Sequence, residues 1–317
     1  MIENQEVEDL LMKDSFDNLK ESQKTYKGTV PCHDYFTPWK IEEALEILFR
    51  YGKDIKVIAG GTDILVHYYD RLYEIQNWLD LNNIPELREI IVNKEKVTIG
   101  AMVNHTQLEK SEDIKKYLPA LSKAAADIGS PQIRNRGTIG GNIVNASPAG
   151  DLLSPLIAYN ARFKLLSNKE EITVPAEKFF TGPKENVLKP EQLLTQIILP
   201  IPRKNTYSSW IKIGNRKAVV IATINLALVI KIGEDNLFIE DVKVCLGSVA
   251  PTPIEIKEIR KKMIGKRLDE LDFNELGKLV EDKISPIDDI RGTIEYRKDV
   301  AKKIMINALE EILSAWR

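Results

Sequence analysis

From Thr37 to Gly52 the apolar residues recur at Ile41, Leu45, Leu48 and Phe49, a spacing that lines one face of a helix. Thr37 suits the cap, Pro38 the first helical position, and Gly52 ends the pattern. Ile55-Lys56-Val57-Ile58-Ala59 then reads as a strand running straight into Gly60-Gly61-Thr62-Asp63. Between Trp78 and Val103 the alternation is strand-like, and Asn93-Lys94-Glu95-Lys96 separates two runs as a hairpin loop would. Asn104 or Thr106 can cap a helical stretch that continues toward Ile128 with a break at Pro119. Residues 129–151 are dense in Gly, Ser, Asn and Pro, which predicts irregular but ordered backbone, a setting more often functional than not.

The segments RFKLLSNKEEITV and LLTQIILPIP predict short strands, and Pro200-Ile201-Pro202-Arg203 reads as a linker. A domain boundary is placed there. Beyond it SSWIKIG, VVIATINLALVI and FIEDVKVCLGSV predict an antiparallel sheet, followed by helices over 254–284 and 292–316. The organisation is therefore a polar N-terminal arm (1–30), a first domain (31–205) and an α+β second domain (206–317). No internal repeat interrupts it.

With 317 residues, 45 Lys+Arg and 47 Asp+Glu, the chain is long enough for two cores and nearly neutral. That balance argues against nucleic-acid and anionic-membrane surfaces, which call for concentrated cations. The longest apolar stretch, Ala218 to Ile230, is about 13 residues against the roughly 20 that span a bilayer. The acidic start, MIENQEVEDL, lacks a secretory pattern, so a cytoplasmic location is expected. Cys32 and Cys245 stand alone and cannot supply the thiolates of an iron-sulfur cluster. His33, His67 and His105 show no metal-ligand spacing.

Two Gly-Gly pairs carry the candidate chemistry. Gly60 and Gly61 follow a strand, where successive backbone N–H groups can form an anion nest, with the Thr62 hydroxyl as a further donor and Asp63 read as a cap for the next segment. A plain tight turn is the alternative. Thr138-Ile139-Gly140-Gly141-Asn142 looks like a second nest, with almost no negative charge until Asp151. Together they suit a dinucleotide, one pyrophosphate plus sugars and heterocycles, with Asp151 free to accept from a ribose or adenine donor. Neither pair is GxGxxG, so a Rossmann site is not implied. Lys212 and Arg216 follow a strand-like run, where most cations are surface residues.

AGGTDILV, then IGSPQIRNRGTIGGNIVNASPAGDLLSPLIAYNA, LLTQIILPIP and WIKIGNR in that order resemble the FAD-binding medium subunits of the molybdenum hydroxylases, over residues 33–317. That family includes carbon monoxide dehydrogenase, nicotinate dehydrogenase and the flavin part of xanthine dehydrogenase. The resemblance implies an α+β fold: a two-subdomain FAD-binding domain of the vanillyl-alcohol oxidase type, then an α+β C-terminal domain of antiparallel sheet plus helices. It also implies that Val57, Ile58, Ala59, Gly60, Gly61, Thr62, Asp63 and Ile64, with Thr138, Ile139, Gly140, Gly141 and Asn142, wrap the FAD pyrophosphate and its neighbours. Asp151 matches an acid that contacts the dinucleotide, and Ile128 stands where a relative has an aromatic ring. Leu194 and Lys212 align with further contacts, and a cation at Lys212 would favour negative charge on the reduced ring.

By the same resemblance the chain is an oxidoreductase subunit that performs no hydroxylation itself. Electrons leave molybdopterin on a large subunit, cross two 2Fe-2S clusters on a small subunit, and reach FAD, which passes them to NAD(P) or another acceptor. Molybdopterin and clusters are expected only on those partners. With no Cys or His in the Gly-rich loops, the FAD is expected to be noncovalent. The competing readings are a free-standing FAD-dependent reductase of this fold and a non-catalytic nucleotide-binding scaffold.

Overall fold

The computed structural model describes residues 34–70, 77–216, 221–233 and 237–317; the N-terminal arm, Cys32 and His33 lie outside them. A parallel three-stranded sheet opens the fold, with Asn77–Asp80 between Asp34–Phe36 and Ile55–Ile58. The helix Ile41–Tyr51 covers it, burying Ala44, Leu45, Ile47 and Leu48 against Phe36, Ile55 and Leu79. Glu42 and Glu43 in its first turn and Arg50 in its last complement the helix dipole, and Gly52 closes it with φ +53°. It starts later than Pro38 because the Trp39 N–H is held by Glu43 Oε2 at 2.9 Å ahead of the first turn. Phe49, expected on the inner face, is 55% exposed, and the Lys169 ammonium lies 5.1 Å from its ring centre.

A five-stranded antiparallel sheet follows, in the order Ile90–Val92, Lys96–Gly100, Leu193–Pro200, Arg162–Leu166, Glu171–Pro175. The expected hairpin loop is present, with Asn93 Oδ1 accepting from the Glu95 and Lys96 amides. Short helices pack on this sheet: His105–Lys110, Glu112–Tyr117, Pro119–Ala126, Pro131–Arg136, Ile139–Asn145 and Leu153–Ala158. Asn104 and Gln107 form a capping box on the first, Ser111 caps the second, and Pro119 opens the third. Val97, Ile99, Phe163, Ile197 and Leu199 meet Leu108, Leu121, Ile143 and Leu156, each such buried side chain contributing about 1.5–3 kcal/mol.

The C-terminal sheet is antiparallel in the order Thr206–Ile213, Ile224–Ile232, Ile239–Gly247, Ile254–Glu255. Ile224, Leu226, Leu228 and Ile230 face the helices Lys257–Met263, Phe273–Lys283 and Ile294–Trp316. Trp210, Ala227 and Cys245 point the other way, into the core of the preceding domain. Burial on both faces explains why this strand reads as an almost unbroken apolar run. Burial also pushes the Cys245 thiol well above its ordinary pKa. Among the described residues no helix is long and apolar enough to cross a membrane.

Candidate functional site

The strand Ile55–Ile58 delivers Ala59–Asp63 to the end of the parallel sheet. Ala59 O accepts from Asn82 Nδ2 at 2.9 Å, and Asn82 is itself held by Asp80 and Arg88. Gly61 has φ +78°, the left-handed region that glycine enters without strain. The N–H groups of Gly60, Gly61, Thr62, Asp63 and Ile64 meet no acceptor among the described residues, the property a nest requires. Asp63 stands at the cap position of the helix Ile64–Tyr69 but makes no side-chain cap; its Oδ1 accepts from Asn145 Nδ2 at 3.3 Å instead. Val57 and Ile58 serve the sheet, Ile58 packing with Trp78 and half-buried Ile64.

The second segment differs from the expected loop. Ser130 and Thr138 cap two short helices, Pro131–Arg136 and Ile139–Asn145. Its amides are engaged: Ile139 N–H bonds Val103 O and Gly140 N–H bonds Ala101 O, both at 2.9 Å; Gly141 N–H bonds Thr138 Oγ1 and Asn142 N–H bonds Thr138 O, both at 3.0 Å. Gly140 is required for packing, since a Cβ there would lie 2.6 Å from Ala101 O. This segment is therefore not a second nest. What it offers is the exposed Cα of Gly141 and the Asn142 amide, whose buried Oδ1 has no hydrogen-bond partner.

The two segments converge. A Cβ on Gly60 would lie 2.1 Å from Arg136 O and 2.9 Å from Gly137 Cα, so the first turn rests directly on the chain entering the second. Nearby His105, 3% exposed, donates its backbone N–H to Gly137 O at 3.0 Å, and burial, followed by the Arg134 charge, lowers the ring's pKa to about 4. Arg134 bonds Glu109 and the carbonyl of half-buried Ile128. Leu194 is not at the surface but in the core, opposite Leu165.

Asp151 and Lys212, expected at separate contacts, are joined in a buried ion pair: Lys212 Nζ lies 2.5 Å from Asp151 Oδ2 and also donates to Asp127 O at 2.9 Å. Burial pushes the Asp151 carboxyl up to about 6, with Lys212 opposing the rise and Asp127 adding to it. Trp210 Nε1 donates to Asp127 Oδ2 at 2.9 Å, and Ser154 Oγ to Asn225 Oδ1 at 2.7 Å. Asp151 Oδ1 and Asn225 Nδ2 are both buried without hydrogen bonds. Asn225 belongs to the site region that the sequence reading passed over; a lone amide inside INLALVI was the available signal.

The profile described as the FAD binding domain in molybdopterin dehydrogenase matches residues 26–202, and the CO dehydrogenase flavoprotein C-terminal domain matches 209–312. The chain belongs to the FAD-binding medium subunits of the molybdenum hydroxylases. It is 32% identical over 283 residues to the glyceraldehyde dehydrogenase medium chain of Sulfolobus acidocaldarius, covering 89% of this chain and 99% of the relative. It is 29% identical over 294 residues to the nicotinate dehydrogenase FAD-subunit of Eubacterium barkeri, covering 88% of this chain and 97% of the relative. The solved carbon monoxide dehydrogenase from Hydrogenophaga pseudoflava superposes with a TM-score of 0.84 at 30% identity, covering 90% of this chain and 99% of that one. The oxidoreductase assignment, FAD as cofactor and the two-part α+β fold follow for this medium subunit. The residues also fit the cofactor on physical grounds, because the first turn holds free amide donors and the second an unpaired amide oxygen where a polar ligand can bond them.

Proposed function

We propose that the chain is the electron-transfer subunit of a three-chain complex, docking a large molybdopterin subunit and a small iron-sulfur subunit in the cytoplasm, with NAD(P) as the final acceptor. Bound FAD would supply the redox chemistry, since a flavin can exchange electrons singly or in pairs. The chain's part is to hold it noncovalently. Ala59–Ile64 presents donors to the diphosphate, Thr138–Asn142 packs its glycine backbone and Asn142 side chain beside it, and Asp151, Lys212, Ile128 and Leu194 shape the adjoining end. Residues 31–205 form the cofactor domain and 206–317 complete it from the far side.

The contact of Gly60 with Arg136–Gly137 supports the cofactor part of this reading, because it sets the first glycine turn against the chain that leads into the second. The test is to purify the complex through a tag on this chain. Co-purified molybdenum and iron, with a yellow flavin that NADH or NADPH bleaches anaerobically, is the expected result. A yellow chain that purifies alone would favour a free-standing reductase, and flavin that neither nucleotide bleaches would remove NAD(P) as acceptor.

A further inference from the structure

Phe180–Gly182 and Glu185–Asn186 form a small antiparallel hairpin with Pro183 and Lys184 at its turn. Two bonds tie it to the second glycine segment: Asn186 Nδ2 donates to Val144 O at 2.8 Å, and the Lys184 N–H to Ala146 O at 2.9 Å. From there the Lys184 ammonium crosses to the first segment, 3.2 Å from His67 Nε2. His67 lies one helical turn beyond Asp63, its N–H donating to Asp63 O at 3.1 Å, and Asp63 in turn accepts from Asn145. Asp63, Asn145, Ala146, Lys184 and His67 thus close a ring, and the hairpin makes a third wall beside both glycine segments.

Two features single out the lysine. Its φ is +61°, at the second turn position, where Gly or Asn is the usual occupant because a Cβ is strained there. From that turn its side chain reaches toward the helix that follows the first glycine pair. The second feature is charge. The FAD diphosphate carries two negative charges, yet Gly60–Thr62 and Thr138–Asn142 contain no cation and Asp63 is an acid. Arg136 lies close by through its backbone, and its exposed side chain is the competing cation. Lys184 is exposed, and its ammonium has donors beyond the one that meets His67.

Building on the FAD reading above, we propose that Lys184 is a cofactor-binding residue that supplies the cation for the diphosphate. The loop amides orient the diphosphate, and the hairpin neutralises it. The full chain, stripped of flavin, would be titrated with FAD and with riboflavin, which lacks phosphate, and ADP would be used as a competitor. Lys184→Gln should weaken FAD about tenfold and ADP in the same proportion, leave riboflavin within about twofold, and flatten the salt dependence of FAD binding. Lys184→Arg should restore most of the loss. Unchanged FAD affinity in Lys184→Gln, or an equal loss for riboflavin, would overturn the assignment, as would an FAD-specific loss confined to Arg136→Gln. A parent chain that binds no FAD would overturn the cofactor reading itself.

Discussion

Gly60 and Arg136 approach so closely that a methyl group on the glycine would stand 2.1 Å from the arginine's carbonyl oxygen. The contact is backbone against backbone, so no side chain can turn aside to relieve it. Gly60→Ala should therefore destabilise the flavin-free chain by about 1–3 kcal/mol or more, as overpacking does, and weaken FAD as a consequence. Urea denaturation of flavin-free protein checks this, and an unchanged midpoint would mean that the two segments are further apart.

Gly141 makes the contrasting case. A Cβ there would meet only Thr138 Oγ1, at 3.0 Å, and otherwise faces open space. Gly141→Val is expected to lower FAD affinity at least about tenfold while changing flavin-free stability by about 1 kcal/mol or less, because valine is no poorer a helix former than the glycine it replaces. Flavin absorbance after gel filtration, measured beside the same denaturation curves, separates the two effects. Full flavin occupancy in the valine variant would take the cofactor away from this face.

The pair Asp151–Lys212 has side-chain exposures of 8% and 5%. Removing one partner leaves the other charge buried without compensation, so Asp151→Asn should destabilise the protein by about 3–5 kcal/mol. Replacing both, as Asp151→Leu with Lys212→Met, should recover most of that loss. A double substitution no better than the single one would show that the pair's neighbours, rather than its charges, set the penalty.

His105 gives an acid-side signature. Its pKa of about 4 lies below the unfolded value of about 6.5, so the neutral ring's stabilisation is complete above the higher value and lost as pH falls toward the lower, about 3 kcal/mol in all. Asp151 runs in the opposite sense: with its pKa raised to about 6, the native carboxyl holds its proton longer than the unfolded one, and stability drops as pH rises from about 4 to 6. The two slopes partly cancel in the parent. In His105→Leu only the Asp151 slope remains, so the variant should gain on the parent as pH falls from 7 to 4. Equal stability differences at both pH values would rule out a neutral buried His105.

Local chemistry was the most legible layer of the sequence. The stripe of Ile41, Leu45 and Leu48, the Asn93 hairpin and the cap at Asn104 all act through near neighbours; Thr37 does not cap the first helix, whose start lies inward at Ile41 with Lys40 at the cap position and no side-chain cap. The composition of residues 129–151 predicts irregular backbone and masks two helix starts. Ser130 with Pro131 and Thr138 with Ile139 carry ordinary cap signals, but the glycines near them serve close packing against partners remote in sequence, Gly137 on His105 and Gly140 on Ala101. The same distance in sequence hid the Asp151–Lys212 pair and the role of Asn225, since nothing around either residue announces the other. The convergence of the two glycine segments was implied by the family resemblance, and the difference between a free-amide turn and an engaged one appears only with the hydrogen bonds in view.

The seam where the C-terminal sheet meets the preceding helices sets polar bonds around the apolar Ala227 and Cys245: Trp210 reaches Asp127, Tyr159 reaches Ser208, Ser154 reaches Asn225, and the Ser248 amide reaches Pro148 O. Each bond needs a specific partner at a specific place. Grafting the C-terminal half of a sister protein onto this one would leave those groups facing mismatched neighbours, so the halves are expected to tolerate substitution only in concert, and chimaeras cut near Pro202 should fail unless both sides of the seam are carried across together.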